Sequence, residues 1–376
     1  MQIYLDNAAT TAIDPAVIET MARVLTENYG NPSSSHSKGR EAKALIETSR
    51  RSIAKWLNCE PSELIFTSGG TEADNMAIFG CIEYHGVKRI ITSRIEHHAV
   101  GHTVEIAAKN FDVEIEYVNV DSKGNVDFSH LEELLRKDKR TLVSLMYANN
   151  EIGTLLPIDK VVELCKTHNA FFHSDTVQGI GHYAFDLKNQ EIDFITCSAH
   201  KFHGPKGVGF LYARKKSKFG PLMHGGSQER GNRGGTENVA GICGMATAFE
   251  LAYSELESHQ NHIRDIKNYF VERLNTSIEG ISYNGEISDE KSLYTVLNVS
   301  FPPFNGAGLL LFTLDLKGIS ASGGSACSSG ASSPSHVLSG IGADFNRPNV
   351  RFSFSKFTNR KEIDYTIEKI VEIFKS

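Results

Sequence analysis

Residues 193–214 read DFITCSAHKFHGPKGVGFLYAR, two β-rich runs that enclose a polar turn containing glycine, proline and Lys201. From about residue 60 to residue 215, short runs of this kind alternate with helix-like stretches, which is typical of βαβ units. The alternation predicts a mostly parallel sheet covered by helices, with an active site at the carboxyl ends of the strands. At that edge a solvated surface charge explains Lys201 poorly, and we expect a Schiff-base lysine.

The length of the chain indicates more than one domain. It has 376 residues, whereas a single hydrophobic core stops growing at about 250–300 residues. We expect a large domain over residues 15–255 and a smaller α/β domain formed by residues 1–14 and 256–376. Residues 241–278 read as long helix. Residues 318–340, which are rich in glycine and serine, would form a mobile loop of the small domain.

Charge and composition exclude several classes of protein. Lysine and arginine number 39 against 45 acidic residues, and no basic block interrupts the mixture, so neither nucleic acid nor a membrane is an expected partner. The start, MQIYLDNAATT, does not resemble a signal peptide, and the apolar runs are far shorter than a membrane span, which predicts a cytoplasmic protein. No C-x-x-C pair suggests a zinc cage or a disulfide framework, and we expect five cysteines to be small buried hydrophobes: Cys59, Cys81, Cys165, Cys197 and Cys243.

Two segments at strand ends precede predicted helices. The first, TSGGT at 67–71, could hold a phosphate on backbone amides at a helix N-terminus, although ordinary helix capping also explains it. The second contains His97, whose ring could stack on a planar cofactor and move protons, or could simply cap the helix. His98 and His102 have the i, i+4 spacing of metal ligands, but no further ligand completes a metal site.

Three further strand ends carry polar residues. Asn150 could present an amide to a ring substituent or a substrate carboxylate, or could form a turn. Asp175, followed by Gln178, could pair with a buried cation or cap a helix. Together with Lys201 these strand ends match pyridoxal phosphate. That cofactor uses a helix N-terminus for its phosphate, an imidazole over its ring, an amide at its 3-hydroxyl, a carboxylate at its pyridinium nitrogen and a lysine at its aldehyde.

Two residues near the C-terminus point to a substrate. Cys327 lies in SGGSACSSG at 322–330, a composition that orders poorly, so its thiol would be mobile; an ordinary linker is the alternative, but linkers rarely carry a thiol. Because a free thiol has a pKa of about 8.5, only about 3 % is ionised at pH 7, and a cation or proton acceptor must assist it. Arg351 could bind a substrate α-carboxylate in bidentate fashion, or could lie on the surface.

The chain resembles the cysteine desulfurase family, the NifS/IscS-like members of the class V aminotransferase group within the type I pyridoxal-phosphate fold. The resemblance covers nearly the whole chain. It rests on LDNAATT (5–11), GNPSSSH (30–36), FTSGGTEADN (66–75), EHHAV (96–100), NNEIG (149–153), SDTVQ (174–178), SAHKFHGPKGVG (198–209), HGGSQERGNRGGTENV (224–239), SGGSACSSG (322–330) and VRFSF (350–354).

The resemblance implies roles for individual residues. Lys201 would bind the aldehyde of pyridoxal phosphate, His97 would stack on the ring and shuttle protons, and Asp175 would pair with the pyridine nitrogen. Cys327 is the implied nucleophile, and Arg351, with Asn150, is implied to bind the substrate. Further cofactor contacts are implied for Gly70, Thr71, Asn150, Gln178, Ser198, His200 and, from the partner subunit of a homodimer, Thr236.

The implied reaction converts L-cysteine to L-alanine and leaves the sulfur on Cys327 as a persulfide. The mobile loop would then carry the sulfur to an acceptor protein, such as one that serves iron–sulfur cluster assembly or tRNA thiolation. No intrinsic metal is implied, although Cys327 could transiently ligate an iron–sulfur cluster together with a scaffold partner. The alternatives are a selenocysteine lyase or another pyridoxal-phosphate aminotransferase or lyase of this fold, and a catalytically silent sulfur carrier.

Overall fold

The computed structural model describes residues 1–304, 306–323 and 335–375. The helices of this part are α1 Pro15–Glu27, α2 Ser37–Trp56, α3 Gly70–His85, α4 His98–Phe111, α5 Phe128–Leu135, α6 Ile158–Thr167, α7 Val239–Ser254, α8 Leu256–Ser277, α9 Leu310–Leu316, α10 His336–Gly340 and α11 Arg360–Lys375. The strands are β1 Ile3–Tyr4, β2 Leu64–Thr67, β3 Arg89–Thr92, β4 Glu114–Tyr117, β5 Thr141–Ser144, β6 Phe171–Asp175, β7 Phe194–Ser198, β8 Gly209–Ala213, β9 Ser282–Asn284, β10 Val296–Ser300, β11 Ile319–Ser320 and β12 Asn349–Ser353. Among the helices described, none combines the length and the apolar character that crossing a membrane requires.

A seven-stranded sheet confirms the predicted α/β architecture. Its strand order is β2-β8-β7-β6-β5-β3-β4, and its strands are parallel except β8, which is antiparallel to both of its neighbours. Strand β8 reverses because the short turn after β7 has no room for the helical crossover that a parallel neighbour needs. The carboxyl ends of β3, β5, β6 and β7 therefore meet at one edge, with Lys201 directly after β7.

This sheet lies between two hydrophobic cores, because successive strand residues point to opposite faces. Ile90 of β3 packs in the core under α3 and α4, which includes Val104. Its neighbour Ile91 belongs to the core on the other face, which includes Phe249 of α7. Burial on both faces explains why the strands read as nearly continuous apolar runs rather than as alternating patterns.

The C-terminal part of the chain builds a second unit. Strands β12, β10 and β9 form an antiparallel sheet, and β1 pairs in parallel with β11, so the first residues of the chain join this unit. Its core includes Leu5, Phe270 of α8, Phe352 of β12 and Ile370 of α11. A small α/β domain of this composition matches the expected fold, whereas the division at residue 255 stays a prediction.

Two local expectations are wrong. Residues 241–278 are not one helix, because Glu255, with φ −115° and ψ 18°, separates α7 from α8.

Among the cysteines, Cys81, Cys165, Cys197 and Cys243 are buried, but Cys59 is only partly buried. It follows the left-handed residue Asn58 in the turn after α2, so the backbone carries it toward the surface.

Candidate active site

One cavity of about 220 Å³ opens at the carboxyl edge of the large sheet. Its walls come from the segments that follow β2, β3, β5, β6 and β7, together with the N-terminal segment and β12. Ten of the residues selected from the sequence line this cavity: Gly70, Thr71, His97, Asn150, Asp175, Gln178, Ser198, His200, Lys201 and Arg351. The parallel topology brings them together, since they are far apart in the chain.

The amine of Lys201 lies at the base of this cavity. Lys201 ends a short 3₁₀ turn, Ala199–Lys201, that follows β7 directly. Its Nζ donates hydrogen bonds to the carbonyl oxygens of Ala8 at 2.6 Å and Ala9 at 2.9 Å. The N-terminal segment thus holds the amine, and this contact could not be read from the sequence, because a backbone carbonyl gives no residue-specific signal.

The N-terminus of α3 forms one end of the cavity. The helix begins at Gly70 after Gly69, whose φ of +150° suits glycine. A Cβ at Gly70 would lie 2.6 Å from Cγ2 of Val177, and one at Gly69 would lie 3.5 Å from Oγ of Ser198. Both glycines therefore lie close to side chains that also line the cavity, and at Gly70 there is no room for a side chain. The amides and the dipole of the helix N-terminus favour an anion at this end.

His200 lies beside this anion end. Its Nδ1 is 3.1 Å from Oγ1 of Thr10, and burial lowers its pKa to about 4, with Lys201 acting in the same direction. At neutral pH the ring is therefore uncharged and can donate one hydrogen bond to a bound anion. The helix N-terminus and this ring together provide neutral donors, so an anion would be held mainly by oriented dipoles.

Asp175 ends β6 inside the cavity and is 5 % exposed. Its Oδ1 accepts a hydrogen bond from the amide of Val177 at 2.9 Å. Burial raises the pKa of this carboxyl, and the nearby acid Asp74 raises it further. A carboxylate at such a site gains most from a cation placed against it, which is what a protonated ring nitrogen would provide.

His97 is the N-cap of α4, where its Nδ1 accepts a hydrogen bond from the amide of Ala99 at 3.1 Å. This contact selects the neutral tautomer that carries its proton on Nε2. Burial lowers the pKa of His97, and the cation of Lys201 lowers it as well. The geometry therefore suits an uncharged ring that stacks on a planar ligand, and proton uptake would require His97 to release the Ala99 amide.

Arg351 closes the side of the cavity opposite the large sheet and is 1 % exposed. Its Nη1 donates to the carbonyl of Asn150 at 2.9 Å, and its Nη2 donates to Oδ1 of Asp6 at 2.7 Å. Its Nε has no hydrogen-bond partner among the residues that the structure describes. A buried guanidinium with a donor left over is suited to a carboxylate ligand, because an unsatisfied buried donor costs free energy.

Two selected residues lie elsewhere. Thr236 lines a different pocket, beside Ser68, Gly207 and Arg233, so the chain does not bring it to its own Lys201. Cys327 lies outside the described residues. On its N-terminal side the described chain reaches Gly323. The backbone of the preceding residue, Ser322, exchanges two hydrogen bonds with that of Arg351, at 2.7 Å and 3.2 Å.

Asp74 is a cavity residue that sequence reasoning missed. It stands one turn into α3, four residues after Gly70, and so on the same face of the helix. It is 1 % exposed, and burial raises its pKa to about 7. Its Oδ1 is 3.4 Å from Nε2 of the buried His173. The i, i+4 spacing from the glycine turn was the available signal.

The arrangement fits pyridoxal phosphate by its donor chemistry. Gly70 begins α3 and so offers the amides of a helix N-terminus to a phosphate. Asp175 offers a buried carboxylate for a ring nitrogen, and Lys201 offers an amine for an aldehyde. All three line the one cavity, and the unpartnered Nε of Arg351 remains for a substrate carboxylate.

Comparison with known proteins agrees with this chemistry. The family model of aminotransferase class-V matches residues 3–366. A cysteine desulfurase IscS of Dictyoglomus turgidum is 44 % identical over 379 residues, which cover 99 % of this chain and 95 % of the relative. The solved structure of a NifS-like protein has a TM-score of 0.91 and 40 % identity, with both chains covered in full.

A second solved structure, described as SspA in complex with cysteine, has a TM-score of 0.82 and 30 % identity over 96 % of this chain and all of that one. The family model and the full-length relatives agree with each other and with the fold and cavity described above. The chain therefore belongs to the class V aminotransferase family and, within it, to the pyridoxal-phosphate-dependent cysteine desulfurases of the NifS/IscS type.

Proposed function

We propose that this protein removes the sulfur of L-cysteine, releases L-alanine and keeps the sulfur on Cys327. In balance, L-cysteine and the Cys327 thiol give L-alanine and a Cys327 persulfide, so the C–S bond of the substrate breaks and an S–S bond forms without an external oxidant. The observation that carries the proposal is the meeting of Lys201, Asp175 and Arg351 in one cavity.

Two residues of the cavity, Asp175 and Lys201, would act directly on the cofactor. When bound, pyridoxal phosphate supplies an electrophilic carbon and a cationic ring that accepts the electrons released at the amino acid's Cα. Asp175 would keep that ring protonated, because a buried carboxylate stabilises an adjacent cation. The amine of Lys201 would hold the cofactor covalently, and as a free neutral amine it would be able to take up a proton from the substrate.

Substrate orientation would come from Arg351. A carboxylate on its unpartnered Nε would also lie near Asn150, whose carbonyl already accepts from the same guanidinium. The sulfur of the bound amino acid would then project toward the segment that starts at Ser322, since the backbone of that residue pairs with Arg351. Holding the reacting groups together in this way is worth several orders of magnitude in rate.

Both flanks of the segment that bears Cys327 are tied to this cavity. On one side Ser322 pairs with Arg351, and on the other the hydroxyl of Ser335 donates to Oε2 of Glu151 at 2.5 Å. From Gly323, the four residues that lead to Cys327 span at most about 14 Å when fully extended. These flanks support Cys327 as the group that attacks the substrate sulfur and then presents it to an acceptor.

A homodimer is part of the proposal. Thr236 lies in a pocket apart from Lys201, so a second copy would have to supply it to the phosphate. An exposed apolar face formed by Ile18, Leu25 and Tyr29, on and just after α1, is a candidate for the contact between copies.

The proposal also includes a compartment and an acceptor. The five described cysteines form no disulfide, which suits a reducing cytoplasm and a thiol nucleophile. The acceptor of the sulfur would be a protein such as an iron–sulfur scaffold.

The test is alanine and sulfide formation from L-cysteine in the presence of a reducing agent. Cys327→Ala should lower both by about 100-fold or more, since no other group is proposed to take the sulfur, while the visible absorption of the lysine-bound cofactor persists. Cys59→Ala is the matched control, because Cys59 is the partly buried cysteine away from the cavity. Unchanged desulfuration by Cys327→Ala would refute the proposal. Alanine formed without sulfur transfer to the protein would favour a lyase, and conversion of L-cysteine to its keto acid with the sulfur retained would favour a transaminase.

A further inference from the structure

The backbone around Lys201 is held at several points. Thr11 contacts it twice, because its amide and its hydroxyl both donate to the carbonyl of His200, at 2.9 Å and 3.0 Å. The same hydroxyl accepts from the amide of His203 at 2.8 Å. His203 has a φ of +66°, which a residue with a Cβ adopts only when its surroundings impose it. The turn is thus a strained segment whose shape is set from outside.

The carbonyl of Lys201 has its own partner in this arrangement. Nε2 of His182 lies 3.2 Å from that oxygen. Because a carbonyl only accepts, Nε2 must carry the proton, and Nδ1 of a neutral ring is then an acceptor. Nδ1 lies 2.8 Å from the hydroxyl of Tyr294, which therefore donates to it. Burial lowers the pKa of His182 to about 4, so this tautomer persists at neutral pH.

The partners of His182 belong to the C-terminal unit. Tyr294 is 2 % exposed and packs in the core that contains Phe270 and Phe352. Gln260 of α8 donates to the carbonyl of His182 at 2.6 Å. His182 therefore joins residues of the second core to the peptide of the lysine that faces the active cavity. A small cavity, also lined by His259, lies next to this junction.

We infer that His182 is a positioning residue that fixes the peptide of Lys201 and ties it to Tyr294 of the C-terminal unit. The inference rests on the proposed role of Lys201 in desulfuration. The direction of the lysine side chain depends on the orientation of its own peptide, and that peptide is anchored by a donor from His182. Losing the donor would leave the turn free to relax around His203 and would move Nζ of Lys201 within the active cavity.

The experiment compares His182→Leu, which removes the donor, with His182→Gln, which keeps an N–H at similar reach. In His182→Leu, kcat for alanine formation should fall about tenfold or more while KM for L-cysteine changes less than about twofold. His182→Gln should recover most of that loss. Tyr294→Phe, which removes only the hydroxyl that orients the ring, should lie between the two.

A second measurement does not depend on activity. In the protein without cofactor, amide hydrogen exchange over residues 202–204 should speed up about tenfold in His182→Leu, because the turn loosens locally. His259→Leu is the matched control and should leave the exchange unchanged, because His259 lines the same small cavity and its ring pairs with Glu255. If wild-type protein makes no alanine from L-cysteine, the proposed function fails, but the exchange still tests the anchor.

Unchanged exchange and unchanged kcat in His182→Leu would overturn the inference. An equal rise of exchange throughout the sheet would also overturn it, since that result would mean a general loss of stability. Should His182→Leu not fold, the same two readouts in Tyr294→Phe decide, because this variant keeps the buried ring and loses a single hydroxyl.

Discussion

Nη2 of Arg351 donates to Oδ1 of Asp6 at 2.7 Å, joining β12, whose Arg351 lines the active cavity, to the N-terminal segment. The two side chains differ in solvent exposure, because Arg351 is almost fully buried whereas Asp6 is 20 % exposed. Asp6 therefore orients the guanidinium from one side, while Nε, which has no partner among the described residues, remains for a ligand.

Arg351→Lys should weaken substrate binding without unfolding the protein. A lysine keeps the positive charge beside Asp6 but cannot bond the Asn150 carbonyl, Asp6 and a carboxylate at once. Losing one charge-assisted hydrogen bond of about 1.5 kcal/mol predicts a KM for L-cysteine raised about tenfold. Steady-state alanine formation measures it, with the exposed Arg360→Lys as control. An unchanged KM would show that the carboxylate binds elsewhere.

Lys201→Ala should purify without covalently held cofactor. Its amine is the one that the carbonyls of Ala8 and Ala9 hold inside the cavity. After borohydride reduction, mass spectrometry should find cofactor on the peptide of residue 201 in the wild-type protein and none in the variant. Lys206→Ala is the control, because Lys206 is exposed in the same turn. Borohydride-fixed cofactor that persists in Lys201→Ala would assign the bond to another lysine.

The close contact at the start of α3 can be tested with a double-mutant cycle. A Cβ at Gly70 would lie 2.6 Å from Cγ2 of Val177, so Gly70→Ala should displace the helix N-terminus and weaken cofactor affinity about tenfold. Adding Val177→Ala removes the obstructing methyl groups and should restore part of the affinity. Gly101→Ala in α4, where a Cβ meets nothing within 4 Å, is the control. Additive losses in the double variant would contradict the steric account.

Buried acids should make the cofactor-free protein less stable as pH rises. Burial raises the pKa of Asp74 to about 7 and that of Glu96 to about 8, both above their values in an unfolded chain. Above the unfolded-state pKa of each carboxyl and below its folded-state pKa, the folded state holds a proton that the unfolded state has lost, so each group lowers the free energy of unfolding as pH rises. Buried histidines such as His182 and His200, whose pKa is lowered to about 4, oppose this slope below about pH 6.5, so we expect the fall from about pH 6.5 to 8. Asp74→Asn and Glu96→Gln should each flatten that slope in denaturant titrations. A slope unchanged by both variants would exclude these carboxyls as its source.

Much of this active site could be predicted because its residues follow strand ends. His97 lies in the segment after β3, Asp175 ends β6 and Lys201 lies in the turn after β7, and parallel strands deliver such residues to one edge. Backbone groups gave no such signal, so the carbonyls of Ala8 and Ala9 were found only in the structure. They belong to an N-terminal segment that long-range packing, not local pattern, brings to the lysine.

The helical region after residue 240 illustrates a second limit. Residues 241–278 have helical pattern throughout, and no proline or glycine near residue 255 marks the break between α7 and α8. The break arises because the two helices pack in different cores, with Phe249 in one and Phe270 in the other. Which core a helix joins is decided by tertiary contacts that a local pattern does not contain.

The most direct test of the central claim is the location of the transferred sulfur. Purified protein is mixed with L-cysteine, the reaction is stopped by alkylation, and every cysteine peptide is weighed. We predict one added sulfur atom on the peptide of Cys327, formed together with one alanine per active site, and none in Lys201→Ala. Alanine released with no added sulfur on Cys327, or with the sulfur on another cysteine, would contradict the account.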